Sequence, residues 1–115
     1  MSVESRLKSG VDLRILAPQW GIGFPIIQQC FHAHQYECVV TSGNDSQHGL
    51  HSLHPSGLAL DFRTKHIPMS DKLPIRLAII SALGAQWDVV LESVGMENEH
   101  LHVEFDPKPP RVEAG

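Results

Sequence analysis

The sequence predicts a single small α+β domain, with a central, mostly antiparallel sheet and helices packed on one of its faces. Three observations lead there. The 115 residues suit one domain, and by size scaling such a domain buries roughly 65% of the surface its unfolded chain exposes, so a core forms without disulfide help. Apolar periodicity switches between the helical repeat and the repeat of two along the chain, which places helices and strands in the same unit. They do not alternate regularly, which argues against a parallel α/β sheet. No repeat, low-complexity tract or linker divides residues 1–115, and the proline-rich end PKPPRVEAG, about 107–115, is expected to fray.

Each element has its own signal. The first helix is expected over residues 25–35, with Pro25 in the first turn, where its missing N–H costs nothing, and Ile26, Ile27, Cys30 and Phe31 on one face. ECVVTSG, residues 37–43, reads as a strand closing in a Ser-Gly turn. A polar, histidine-rich loop over 44–56 leads into the strand GLALDFRT, residues 57–64. Ser70 and Asp71 open a second helix, LPIRLAIISALG at 73–84, with Pro74 in its first turn and Gly84 suited to the left-handed position that ends helices. WDVVLES (87–93) and HLHVEFD (100–106) are the last strands, joined by VGMENE.

Composition narrows the function classes. With 42% hydrophobic and 19% charged residues and a net charge of -4, nothing suggests disorder, a membrane span or a nucleic-acid-binding surface. The N-terminal MSVESRLKSGVDLR has no apolar stretch of the secretory type, so no signal peptide is expected. Cys30 and Cys38 resemble neither a zinc pair nor a disulfide framework and read as small buried hydrophobes. The unusual feature is eight histidines, with His48, His51 and His54 close together, His66 following, and His100 and His102 near the end. Neutral imidazole is the commonest protein metal ligand, so this surplus points toward a metal site.

Strand parity says where such a site would lie. Leu58, Leu60 and Phe62 share one face, while Gly57, Ala59 and Asp61 share the other. The small residues leave space beside the Asp61 carboxylate, into which the loop bearing His54 can fold. In the last strand Leu101, Val103 and Phe105 face one way, and His100, His102 and Glu104 the other. If the two strands are neighbours, His54, Asp61 and His102 converge, and two imidazoles with one carboxylate suit a catalytic zinc that keeps a fourth position for water. An uncompensated buried aspartate is costly, so Asp61 needs a partner or a metal. A plainer alternative pairs Asp61 with Arg63 or His66 at a sheet edge and leaves the histidines in solvated loops.

The stretches SLHPSGLALDF and ENEHLHVEF resemble the zinc D-Ala-D-Ala carboxypeptidases and L-alanyl-D-glutamate endolysins. Their pattern is Ser-x-His-x-x-Gly-x-Ala-x-Asp, then an acidic residue, two positions and His. Ser52, His54, Gly57, Ala59 and Asp61 match the first motif, and Glu99 and His102 the second. With VVTSG and LGAQWDVVLE the resemblance covers residues 37–106 and extends weakly to the first helix. It implies a small α+β fold shared with the hedgehog signalling domain.

It also implies Zn2+ held by His54, Asp61 and His102, with Glu99 as general base, and hydrolysis of an amide bond in the peptide stem of peptidoglycan. In that chemistry zinc acidifies a water molecule and polarises the scissile carbonyl, while the carboxylate carries the proton to the leaving amine. Parity requires the last strand to begin near His100, leaving Glu99 in the entering turn, aimed back at the metal. His100, on the ligand face, is then a donor to the developing oxyanion, and Glu92 and Glu97 are weaker candidates for the base. Glu104, on the same face, either orients His102 or His54 through a ring N–H or makes only an exposed salt bridge.

One departure concerns the substrate. Many relatives carry an arginine shortly after the TSG segment, and this chain has TSGNDSQHG. Ser52, His48, Asp45 and Arg63 are therefore the candidate substrate-binding residues, Arg63 on condition that its strand stays regular to that point, and His51 is read as a solvated loop residue. The expected partner is a peptidoglycan stem peptide, acted on by a monomer with no nucleic-acid or membrane partner. Without a signal peptide or a wall-binding domain, a phage-type lysin, made in the cytoplasm and acting at the wall after release, is the favoured form. The alternative is a zinc-containing binding or structural module of the same fold, which the missing arginine favours and Glu99 opposes.

Overall fold

The computed structural model describes residues 5–14, 16–43 and 57–107. The candidate residues Asp45, His48, Ser52 and His54 lie outside the described residues, as does His51. Strands β1 (Ser5–Leu7), β2 (Cys38–Ser42), β3 (Ala59–Arg63), β4 (Trp87–Glu92) and β5 (His100–Phe105) form one sheet in the order β1-β2-β3-β5-β4. Helices α1 (Trp20–Ala33) and α2 (Met69–Leu83) complete the α+β domain. All pairings are antiparallel except the parallel β1–β2. No helix among the described residues is long and apolar enough to cross a membrane.

Strand alternation decides which face carries the helices. The core cluster takes Cys38 and Val40 from β2, Leu60 and Phe62 from β3, Val89 from β4 and Leu101 and Val103 from β5, one parity of each strand. Both helices join them through Trp20, Ile27, Phe31, Ile75 and Ile79. Phe62 is the aromatic hub, its ring centroid 6.4 Å from Trp20, 6.1 Å from Phe24 and 6.2 Å from Phe31. The other parity, which includes Asp61, His100 and His102, is left for chemistry. Cys38 is fully buried and Cys30 half-buried, both as free thiols.

Three local expectations are corrected. Helix α1 starts at Trp20, five residues before Pro25, so the proline lies inside the helix. The carbonyl it leaves without a helical donor belongs to exposed Gly21, which water can serve. Packing drives the early start, because Trp20 is buried edge-on against Trp87 at 4.9 Å, and Gly23 lets that indole approach so closely that a Cβ there would lie 2.5 Å from it. Helix α2 likewise begins at Met69, with Pro68 as N-cap and Pro74 again inside. Asp71 therefore sits in the first turn, where a negative charge suits the helix dipole, and accepts a 2.6 Å hydrogen bond from the Tyr36 hydroxyl. Gly84 does end α2 at positive φ, 92°, but with an extended ψ of -176° rather than the left-handed helical value. Strand β1 is an element that three residues of half-polar sequence do not announce, since its ladder to β2 is a tertiary fact.

Candidate metal centre

The register aligns the chemistry in rows. Asp61 lies opposite His102, which lies opposite Val90, and the next row runs Arg63, His100, Glu92. β5 begins at His100, where parity required it. β3 stays regular through Arg63, which therefore shares the Asp61 face. At the other edge of β3 the ladder passes from Val40–Phe62 to Ser42–Asp61, so Thr41 is an extra residue, a bulge beside the site.

Asp61, His100 and His102 bring one ligand atom each within 4.8 Å of one another, and this group can hold a metal ion. Asp61 is 3% exposed. Its Oδ1 accepts a 2.9 Å hydrogen bond from His102 Nδ1 and lies 3.7 Å from His100 Nε2. Among the described residues Asp61 meets the histidine pair of β5 and pairs with neither Arg63 nor His66; His66 instead meets the Glu37 carbonyl at 3.0 Å. His100, expected as an oxyanion donor, stands among the potential ligands.

The surrounding groups set the rings. His100 Nδ1 donates to the Asn98 carbonyl at 2.8 Å, which leaves Nε2 to face Asp61. His102 Nε2 donates to Glu104 Oε1 at 2.9 Å, leaving Nδ1 on the Asp61 side. Carbonyl and carboxylate partners of this kind fix the tautomer of a metal-binding imidazole. Half-exposed Glu92 lies 3.1 Å from His100 Nε2 and 3.8 Å from His102 Nδ1. Without metal, His102 is flanked by two carboxylates: burial opposes its charge, but the hydrogen bonds to Asp61 and Glu104 and their charges outweigh it and raise its pKa to about 9.

Glu99 is held differently. It lines a cavity of about 240 Å³ together with Asp61 and His100, yet both of its oxygens are engaged. Oε2 accepts from Lys72 Nζ at 2.6 Å and Thr64 Oγ1 at 2.7 Å, and Oε1 accepts from the Gly95 N–H at 3.1 Å. Burial pushes the carboxyl pKa up, but these bonds and the Lys72 charge hold it below the ordinary carboxylate value. Lys72, 8% exposed, was not legible in the sequence, because a single lysine in a helix is ordinarily a solvated residue. Comparison of the chain with protein-family models, with curated proteins and with solved structures returned no match.

Proposed function

We propose that the chain is a zinc-dependent metallopeptidase that hydrolyses an amide bond in the peptide stem of peptidoglycan, as a carboxypeptidase or an endolysin-type endopeptidase. The observation that carries this reading is the approach of Asp61 and His102, separated by 41 positions in sequence, to 2.9 Å on the sheet face away from the core. The motif resemblance assigns those two residues to one metal. Two imidazole nitrogens and a carboxylate oxygen are the donor set of catalytic zinc sites, which supports zinc as the ion.

Asp61 and His102 would hold the ion with His100 or His54 as third donor, and zinc would supply Lewis acidity toward a carbonyl and a water molecule. The remaining steps belong to the chain. Glu104 and the Asn98 carbonyl orient the two rings of β5. Glu99 is the general base the motif assigns, and Arg63 lines the same cavity as Glu99. Synthesis in the cytoplasm and action at the cell wall after release completes the phage-type form of the proposal.

Mass analysis of D-Ala-D-Ala-terminated and L-Ala-D-Glu-containing stem peptides after incubation with zinc-loaded protein tests the reading. Cleavage of one stem bond is expected, and Glu99→Ala should abolish it while zinc stays near one per chain. Zinc bound at that stoichiometry with every stem bond intact would reject the peptidase. A second reading, a zinc-containing binding module, has one observation in its favour: a Glu99 carboxylate with three donors and a depressed pKa is a poor proton acceptor.

A further inference from the structure

The cavity beside the metal group gathers three cations from two strand ends. Lys8 follows β1, Arg63 closes β3, and Lys65 lies two residues beyond it. Among the described residues no carboxylate pairs with any of them. The carboxylates nearby are otherwise disposed: Asp61 meets His102, Glu99 meets Lys72, and Glu97 is exposed and can offset one charge of the three.

The chain as a whole carries a net charge of -4, so the grouping is local. With Asp61 and Glu99 each held by a cation of its own, Lys8, Arg63 and Lys65 against Glu97 leave a local positive excess, which a concave protein wall screens less than open solvent does. Neutral donors complete the lining. The β2 bulge brings Thr41 and Ser42 to the cavity, and Asn98 adds an amide.

We infer that the cavity is an anion subsite, in which Lys8, Arg63 and Lys65 receive an oxyanion group of the molecule that binds at Asp61, His100 and His102. Arg63 supplies the planar fork that matches two oxygens at once, and the two lysines supply point charges that tolerate varied geometry. The inference rests on the reading of the neighbouring group as a metal centre, and it states what lies next to the metal: a negatively charged part of the substrate.

Titration of inorganic phosphate and, separately, of glutarate into the chelator-treated chain, followed by amide chemical shifts, tests the subsite without activity. Millimolar binding that shifts residues 61–65 is expected, and the tighter of the two anions identifies whether a tetrahedral or a planar group is preferred. The double variant R63Q/K65Q should weaken binding at least tenfold, and the control Arg14→Gln should leave it unchanged. Because Arg63 is half-buried in the sheet, Lys8→Gln and Lys65→Gln, both at exposed positions, carry the test separately, each with at least a threefold loss. Equal affinity in all variants, or anion binding that arises only after zinc is added, overturns the inference. Zinc titration of R63Q/K65Q separates the two readings: unchanged zinc affinity is expected, whereas a chain that binds the anion and no zinc removes the metal centre alone.

Discussion

His102 stands between Asp61 and Glu104, each 2.9 Å from one of its ring nitrogens, and a proton on each nitrogen satisfies both. Its pKa of about 9 lies above the ordinary 6.5, so in the metal-free chain the charged ring stabilises the fold fully below 6.5, and that contribution is lost as pH rises through 9. A metal needs the ring without its Nδ1 proton. Proton and metal therefore compete, and zinc affinity should climb with pH up to about 9, with one proton released per ion from this residue. Calorimetry in two buffers of different ionisation enthalpy counts that proton, and an affinity flat across this range would exclude a charged His102 as ligand. Asp61→Asn keeps the size and removes the charge, so zinc binding should weaken at least tenfold, or ~1.4 kcal/mol.

Glu99 and Lys72 form the other residue pair with a measurable consequence. Lys72→Met would strand a buried carboxylate and should cost about 3–5 kcal/mol in urea denaturation at neutral pH, while the double variant with Glu99→Gln should recover part of it. The folded pKa of Glu99 is lowered, so its contribution is present above the ordinary 4.5 and is lost as pH falls through the folded value. The penalty in Lys72→Met should shrink along the same limb, and a penalty independent of pH would mean that packing alone explains it.

At the scale of elements, helix α1 sets propensity against packing. Gly23→Ala gains about 1 kcal/mol of helix propensity but places a Cβ 2.5 Å from the Trp87 ring, and overpacking of that kind costs roughly 1–3 kcal/mol. A net loss of stability with a changed indole environment in near-ultraviolet dichroism is expected; a stabilised variant would show that the ring moves freely. The sequence from Gly21 to Gln35 is helical in pattern, and only the placing of Pro25 in the first turn moved the expected start to residue 25. The Trp20–Trp87 contact, which β4 makes possible, rewards the turn before it. Strands β2, β3, β4 and β5 were legible within one or two residues because alternation over five or six positions leaves one register that buries the apolar face.

For the whole molecule the candidate metal group joins two strands of the sheet, β3 and β5, and the turn before β5 that carries Asn98. An ion bound only by the folded state raises stability by mass action, so zinc at a hundredfold excess over its dissociation constant should add about 2.7 kcal/mol, roughly 10 °C in Tm for a domain of this size. Chelator should reverse the shift. A Tm indifferent to both zinc and chelator would remove the metal centre.

The sequence by itself determined the fold class and the two-faced strands, because side chains alternate by backbone geometry whatever the partner strand is. Parity also put Asp61 and His102 on the polar faces of their strands, and their contact then depended on those strands being neighbours. Tertiary structure decided what no local pattern contains: that His100 stands beside Asp61 as well, that Lys72 of α2 neutralises Glu99, and that Lys8 and Lys65 join Arg63 at one cavity. The physical reason is that these contacts are set by register and by strand order β1-β2-β3-β5-β4, and charge partners chosen across a sheet leave no spacing in the chain.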